Sequence, residues 1–272
     1  MTDDAEFRGE PRSPDARHRG RKKRIRRPVT VIGVLGELLI TAGAVVLLFL
    51  GWQLWWNDMM MANSQTQAST DISREWIEQA TKATPPPEEA TPLPADFGEP
   101  VVAAQPAETE AFAVLYVPRF GADYHRTIAG GVGTNVLNSP RTGIGHYPGT
   151  QMPGEVGNFA IAAHRSANGG GMHLINELQL GDAIYVQTAD GYFTYRFRDL
   201  EYVPPTAATV IAGVPGHPEV APVDRIITMT SCNPLLSTAE RIIAYGVYES
   251  WQPLTAGPPA ELAPIIAAQA QG

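Results

Sequence analysis

Residues 226–232 read IITMTSC and end in Cys232, the only cysteine of the 272-residue chain. Four of these seven residues are β-branched, and β-branched side chains favour extended backbone. The stretch therefore predicts a strand that carries a thiol at its end. A lone cysteine forms no disulfide within its own chain, so Cys232 is either a small apolar side chain of the core or a reactive thiol.

Two other polar side chains stand at the ends of predicted strands. Residues 158–163, NFAIAA, predict a strand that is followed directly by His164, and Arg241 begins the strand predicted over residues 241–248. Strand ends can bring such groups together at one rim of a barrel. There an imidazole would take the thiol proton, the thiolate would attack a carbonyl, and a guanidinium would stabilise the oxyanion. The pattern predicts Cys232 as nucleophile, His164 as general acid and base, and Arg241 as the oxyanion-stabilising group.

The chain between residues 111 and 251 alternates short apolar runs with Gly and Pro turns. Alternation and composition predict strands over residues 113–117, 158–163, 183–188, 192–201, 225–231 and 241–248. Residues 189–191, ADG, predict a hairpin turn, and residues 173–178 predict one helical turn. The pattern is typical of a mostly antiparallel β-barrel or β-sandwich, which we expect over residues 111–251.

Metal and cofactor sites are not expected in this chain. His125, His173 and His217 lack the spacing of zinc ligands, and the acidic residues stand singly at turns. Residues 169–171, GGG, lack the lysine and the following helix of a phosphate-binding loop. We therefore predict no metal and no cofactor.

Charge is divided unevenly along the chain. The first 28 residues hold ten of the twenty Lys and Arg and only five acids, whereas ten basic and twenty-three acidic residues follow Pro28. An acidic body is repelled by phosphate, which speaks against nucleic acid as a partner. The basic cluster at residues 21–27 precedes an apolar stretch over residues 29–52, in which Glu37 is the only ionisable residue.

The apolar stretch is long enough for a membrane helix, because 24 residues at the helical rise cover about 36 Å. We predict residues 1–28 as a basic cytoplasmic tail and residues 29–56 as a transmembrane anchor. The body of the protein then lies outside the cytoplasm. A cleaved signal peptide is the alternative, but the stretch exceeds the usual apolar core of such peptides and no small-residue cleavage site follows it.

The segments on either side of the predicted barrel are rich in proline. Residues 57–110 predict an extracytoplasmic stalk, with one short amphipathic helix over residues 69–82 and an extended acidic stretch after it. Residues 252–272 include Pro258, Pro259 and Pro264 and predict a flexible Ala/Pro-rich tail, which cannot form a second membrane helix.

Several motifs resemble those of one enzyme family. Residues 228–234, TMTSCNP, with Arg241 after them resemble the cysteine signature of sortases, and residues 158–165, NFAIAAHR, are similar to the sortase histidine segment. Further segments are similar to class E sortases of high-GC Gram-positive bacteria: YVPRFG at 116–121, GIGHYPGT at 143–150, LGD at 180–182, and GELLIT at 36–41 in the anchor.

The resemblance implies an eight-stranded sortase β-barrel with short helices and a membrane-anchored cysteine transpeptidase. Such enzymes cleave a C-terminal sorting signal, LPxTG or, in class E, LAxTG, between Thr and Gly and hold the cleaved protein as a thioacyl intermediate. They then pass it to an amine of a peptidoglycan precursor. The implied partners are surface proteins with a sorting signal, the lipid II amine and the bilayer, and no cofactor is implied.

The resemblance also assigns roles to individual residues. It implies that Cys232 is the nucleophile, that His164 is the general acid and base, and that Arg241 orients the substrate. A second set is expected beside the substrate: Thr228, Thr230, Ser231, His146 and Asn233. Two features depart from the class pattern, since Asn233 stands where class E often has His and residues 166–172 are unusually rich in Gly.

Two alternative functions follow from the same motifs. A pilus-polymerising sortase would use a pilin lysine as its amine, but such enzymes commonly carry an Asp-Pro-aromatic lid motif and a C-terminal membrane helix. Here Asp96 is followed directly by Phe97. A non-catalytic, sortase-like module that binds the cell wall is the other alternative, and the set of Cys232, His164 and Arg241 argues against it.

Overall fold

The computed structural model describes residues 30–83 and 96–270. The predicted cytoplasmic tail, residues 1–28, and the acidic proline-rich stretch of the predicted stalk, residues 84–95, lie outside the described residues. The described residues form two compact units, which divide between Leu48 and Phe49.

The first unit contains most of helix α1, Val31–Gly51. This helix has 21 residues and a mean hydropathy of 2.4, and none of its residues is buried. Within the ranges that the structure describes, α1 is the one helix both long and apolar enough to cross a membrane.

The second unit is built on a closed barrel of eight strands. The strands are β1 (Ala111–Tyr116), β2 (His125–Gly130), β3 (Ile144–His146), β4 (Gly157–Ala163), β5 (Ala183–Gln187), β6 (Gly191–Val203), β7 (Arg225–Asn233) and β8 (Glu240–Pro253). Their order around the barrel is β1-β2-β3-β4-β7-β8-β6-β5. The pairs β2–β3 and β4–β7 are parallel, and the other neighbours are antiparallel. The prediction of an eight-stranded, mostly β barrel is therefore confirmed, and the sandwich alternative is wrong.

All six strands located from the sequence are present, whereas β2 and β3 were not located. Every residue of β2, HRTIAG, is buried although the first three are polar, so the strand lacks the alternation that marks a half-buried strand. Strand β3 has only three residues, which is too short for a periodic signal.

The helices around the barrel are α2 (Asn57–Ala83), α3 (Thr134–Leu137) and α4 (Ala263–Gln269), and the π-helical turn Trp52–Trp56 precedes α2. Helix α2 has 27 residues and packs on the barrel through the buried side chains of Gln65, Ser69 and Ser73. This differs from the predicted stalk with a short helix over residues 69–82. The reason is that the first half of the buried face of α2 is polar, so it carries no apolar stripe.

The C-terminal segment is also more ordered than predicted. Strand β8 continues to Pro253, the side chains of Leu254 and Leu262 are buried, and α4 follows. Leu254 and Leu262 form a second apolar cluster with Tyr116, and Trp76 of α2 packs against that cluster. Residues 252–270 therefore cover one side of the barrel instead of forming a flexible tail, because their leucines are buried and their isoleucines partly buried there.

Candidate active site

Strand β7 brings the three predicted catalytic residues to one end of the barrel. In the antiparallel pairing of β7 with β8, Cys232 lies opposite Arg241. On its other side β7 pairs in parallel with β4, and Ala162 lies opposite Thr230. His164 directly follows β4, two residues beyond Ala162, just as Cys232 is two residues beyond Thr230. The residues before them, Ala163 and Ser231, are joined by a hydrogen bond, so the end of β4 lies on one flank of Cys232 and Arg241 on the other.

The same three side chains point to the outer face of the barrel. The inward positions of these strands include core residues: Ala163 next to His164, Ile242 next to Arg241, and Met229 three positions before Cys232. Because side chains alternate along a strand, His164, Cys232 and Arg241 share the opposite face. All three are half-buried, which leaves each of them accessible from solvent.

The imidazole of His164 is oriented by an asparagine. Its Nε2 lies 2.8 Å from Oδ1 of Asn138, at the C-terminal end of α3, and Nδ2 of Asn168 donates to the same oxygen at 3.1 Å. Because a carbonyl oxygen only accepts, the proton of a neutral His164 is on Nε2 and Nδ1 is free to accept one. Burial lowers the pKa of His164 below its ordinary value, and the negative charge of Asp58 in the first turn of α2 opposes this shift.

The guanidinium of Arg241 is held at the rim by backbone carbonyls. Its Nη1 donates to the carbonyl oxygens of Thr238 at 3.1 Å and Glu240 at 3.0 Å. A guanidinium has five N–H donors, so these bonds leave donors for a bound oxyanion.

The hydroxyl residues of β7 hold the strand in place. Ser231 donates to the carbonyl of Ala163 at 2.8 Å, and Thr228 donates to Oδ1 of Asn158 at 2.7 Å. Thr228 and Ser231 are buried, so they cannot contact a peptide, contrary to the role expected from the sequence. Thr230 is also buried; its Oγ1 donates to the carbonyl of Ile161 at 3.2 Å, which places it in the same structural role.

The other two expected substrate contacts differ from each other. His146 is 1% exposed and its Nε2 lies 3.0 Å from the carbonyl oxygen of Gln151, inside the barrel wall, so it too cannot reach a substrate. Asn233 is half-buried at the end of β7, where its Nδ2 donates to Glu240 at 3.0 Å. Of the five expected residues, Asn233 is the one that stays at the accessible rim.

Sequence reasoning missed Asn138, Tyr147 and Arg165. Buried Arg165 joins the two strand ends, since it donates to Oδ1 of Asn233 and, at 2.9 Å, to Asn176. The hydroxyl of Tyr147 lies 3.0 Å from that of Thr230. Arg165 was detectable as a polar residue next to His164, but Asn138 is 26 positions before its partner and carries no local signal.

An open cavity of about 390 Å³ lies next to the strand ends. Its walls come from the turn before α2 and the start of that helix, the loop after His164, and the loop after Cys232: Trp55, Asp58, Met59, Arg165, Ser166, Gly169, Gly170, His173, Leu235 and Leu236. The cavity has both polar and apolar walls, which suits a peptide or another amphipathic ligand.

Comparison with known proteins gives one consistent result. The sortase domain matches residues 115–249. The chain is 30% identical over 259 residues to sortase SrtE1 of Streptomyces coelicolor, an alignment that covers 92% of this chain and 67% of the relative. The aligned region thus includes most of this chain and about two thirds of the relative.

Solved structures agree with the sequence match. The SrtA sortase of Actinomyces oris has a TM-score of 0.57 and 34% identity, covering 61% of this chain and 94% of that chain. Sortase E1 of Streptomyces coelicolor, solved with a tripeptide in the active site, has a TM-score of 0.52 and 32% identity, covering 58% and 99%. From its motifs, its closed barrel and these relatives, the chain belongs to the sortase family and is a class E sortase.

Proposed function

We propose that this protein is a membrane-anchored cysteine transpeptidase that joins surface proteins to a cell-wall precursor. The observation that supports the proposal is the register of β4, β7 and β8, in which Cys232 pairs with Arg241 and the end of β4, which His164 follows, runs beside the end of β7. A nucleophile, a proton carrier and a cationic donor are the groups that acyl transfer through a thioester requires.

The proposed reaction has two halves. In the first, the Cys232 thiolate attacks the Thr carbonyl of the sorting signal, Arg241 stabilises the tetrahedral oxyanion, and imidazolium His164 gives its Nδ1 proton to the departing Gly amine. The Thr–Gly bond breaks and a thioacyl enzyme forms. In the second half, an acceptor amine loses a proton to His164 and attacks the thioester, which releases the Cys232 thiolate.

In this mechanism, the protonation state of the Cys232–His164 pair sets the fraction of enzyme molecules that can react. Because burial lowers the pKa of His164, its imidazole is largely neutral near pH 7, and the thiolate–imidazolium pair is a minority form. The bond from Nε2 to Asn138 directs Nδ1 to the exchange of protons with thiol and amine.

Beneath the outer face of β7 and β8, Ile243 packs with Val203 and Val210, which belong to the end of β6 and the segment after it. These three side chains are buried, so they support the rim from below and do not contact a peptide. The preferred signal is inferred from the class E resemblance: we infer LAxTG rather than LPxTG, with the lipid II amine as acceptor.

The test uses the full-length chain in detergent with an LAxTG peptide and an amine acceptor, followed by mass spectrometry. We expect cleavage between Thr and Gly, ligation of the amine, and a covalent acyl adduct on Cys232. An LPxTG peptide under the same conditions measures the preference between signals.

The control is Cys232→Ala, which removes the nucleophile without adding bulk. Cleavage that persists in Cys232→Ala would contradict a thioacyl mechanism. Failure of the folded wild-type chain to cleave either peptide would favour a sortase fold used only for binding.

A further inference from the structure

A glutamine of helix α2 contacts both loops that flank His164. Gln65 is fully buried, and its Nε2 donates to the carbonyl oxygens of Ser139 and Asn168, each at 3.0 Å. Ser139 lies in the loop at residues 138–143 after α3, and Asn168 lies in the loop at residues 166–171 after β4. We refer to these as the two histidine loops.

The two histidine loops converge on the imidazole itself. Asn138 precedes Ser139, and its Oδ1 accepts both from Nδ2 of Asn168 at 3.1 Å and from Nε2 of His164 at 2.8 Å. A continuous set of hydrogen bonds of 2.8–3.1 Å therefore runs from the amide of Gln65 to His164. Gln65 itself does not contact the imidazole.

Two glycines make room for the amide of Gln65. A Cβ at Gly143 would lie 2.5 Å from Nε2 of Gln65, and a Cβ at Gly169 would lie 2.6 Å from its Oε1. Both glycines have positive φ, +87° and +88° respectively. Each histidine loop thus carries a glycine at its point of approach to Gln65, which accounts for part of the glycine-rich segment at residues 166–172.

Helix α2 holds Gln65 in a fixed register on the barrel. One turn further on, buried Ser69 lies 2.7 Å from Nδ1 of His125, and another turn on, buried Ser73 donates to Gln187 at 2.7 Å. Residues four apart share one face of a helix, so the three polar contacts form a single row. Sliding or rotating α2 would break all three together.

We propose that Gln65 is a positioning residue for His164 and that helix α2 is part of the catalytic unit. The proposal rests on the proposed catalytic role of His164. The amide joins the two histidine loops, the loops fix Asn138, and Asn138 holds the imidazole with Nδ1 free for proton transfer. Without the amide, the acceptor oxygen of Asn138 is no longer fixed and the imidazole loses its orientation.

The first test is Gln65→Ala in the full-length chain in detergent. We expect kcat to fall about 10- to 100-fold with KM unchanged, because misorientation of a catalytic group costs rate and Gln65 touches no substrate. The ring resonances of His164, assigned with His164→Gln, should shift or broaden in NMR spectra. Gln67→Ala is the matched control, since Gln67 is exposed on the same helix and should leave both readouts unchanged.

A second pair of variants tests the same contact from the opposite side and does not depend on Gln65→Ala being folded. Gly169→Ala places a methyl group against the amide, whereas Gly181→Ala adds one in open space at the same φ of +88°. Both positions have the same positive φ, so a loss of kcat with a changed His164 resonance only in Gly169→Ala supports the proposal.

Two results would overturn it. One is wild-type kcat and an unchanged His164 resonance in both Gln65→Ala and Gly169→Ala, while Cys232→Ala is inactive; the proposed function would then stand alone. The other is a loss of activity through KM or folding with the resonance unchanged, which would make α2 a purely structural element. Activity retained in Cys232→Ala would instead contradict the proposed function itself.

Discussion

At the scale of single residues, the rim depends on the shape of Arg241 as well as on its charge. Two backbone carbonyls, of Thr238 and Glu240, accept from its Nη1 and fix the plane of the guanidinium. A lysine ammonium has the same charge but cannot bind these carbonyls and an oxyanion in one planar fork.

We therefore predict that Arg241→Lys lowers kcat/KM by roughly 10²–10³-fold, the usual effect of removing one oxyanion donor. Steady-state kinetics with the sorting-signal peptide measure this loss. Arg198→Lys on the exposed face of β6 is the control and should be neutral. Near-wild-type turnover in Arg241→Lys would remove Arg241 from the proposed mechanism.

A second prediction concerns His125, which is buried between β2 and α2. Burial, with a smaller effect of Arg126, lowers the pKa of His125 to about 4, and Asp123 opposes the shift weakly. In the unfolded chain its pKa is near 6.5, so the unfolded state binds more protons between these values. The contribution of His125 to stability is fully present above about pH 6.5. It falls as pH drops towards 4, by up to roughly 3 kcal/mol.

Denaturant unfolding of the full-length chain in detergent at several pH values between 4 and 7 measures this slope. In His125→Asn, whose side-chain amide can still form a hydrogen bond with Ser69 in either direction, the slope over this range should be smaller. Equal slopes in the two proteins would mean that other groups govern the acid sensitivity.

At the scale of elements, helix α2 shows what sequence patterns reveal and what they conceal. Its second half was predicted because Ile72, Trp76 and Ile77 recur at helical spacing. Its first half has Gln65 and Ser69 on the buried face, and polar residues at that spacing resemble a solvated surface. Only the partners on the barrel, such as His125 and the two histidine loops, reveal that this face is buried.

The strands and loops of the rim show the same contrast between residues that have a local sequence signal and residues that have none. Cys232, His164 and Arg241 were predicted because each stands at the end of a run with clear strand character. Asn138 and Gln65 were not predicted, because the roles proposed for them come from contacts across 26 positions of sequence for Asn138 and 74 or more for Gln65. Local periodicity in the sequence gives no information about such long-range contacts.

At this scale we predict that Trp76→Ala lowers the free energy of unfolding by about 2 kcal/mol. Complete burial of a large aromatic side chain makes its removal cost about 3–5 kcal/mol, and Trp76 is only half-buried against the cluster of Tyr116, Leu254 and Leu262. Denaturant unfolding compares it with Glu75→Ala, an exposed change on the same helix. Equal stability of the two variants would mean that α2 contributes little to the fold through this cluster.

At the scale of the whole molecule, the chain combines an apolar helix with a closed barrel. The length and composition of α1 suit a membrane span, and the basic cluster at residues 21–27 favours a cytoplasmic N-terminus. The closed barrel and the family were predictable from several different motifs, which are distributed along most of the chain. The order of the strands around the barrel was not predictable, because the parallel pairing of β4 with β7 joins segments that are distant in the sequence.

The proposed orientation can be tested with the single native cysteine. A membrane-impermeant maleimide added to intact wall-free cells should label Cys232, since the proposed catalytic barrel is outside. In the double variant Cys232→Ala, Ser13→Cys, the only thiol is in the basic tail and should react only after lysis. Labelling of the tail but not of Cys232 in intact cells would reverse the proposed orientation.

The parallel pairing of β4 with β7 also ties the proposed nucleophile to a long loop of the chain. The bond from Ser231 to Ala163, next to Cys232 and His164, joins positions 68 residues apart. Closing so long a loop costs chain entropy, and contacts of this range slow folding. In the proposed mechanism the imidazole partner of Cys232 is supplied across this loop, so the proposed nucleophile forms only once β4 and β7 have paired.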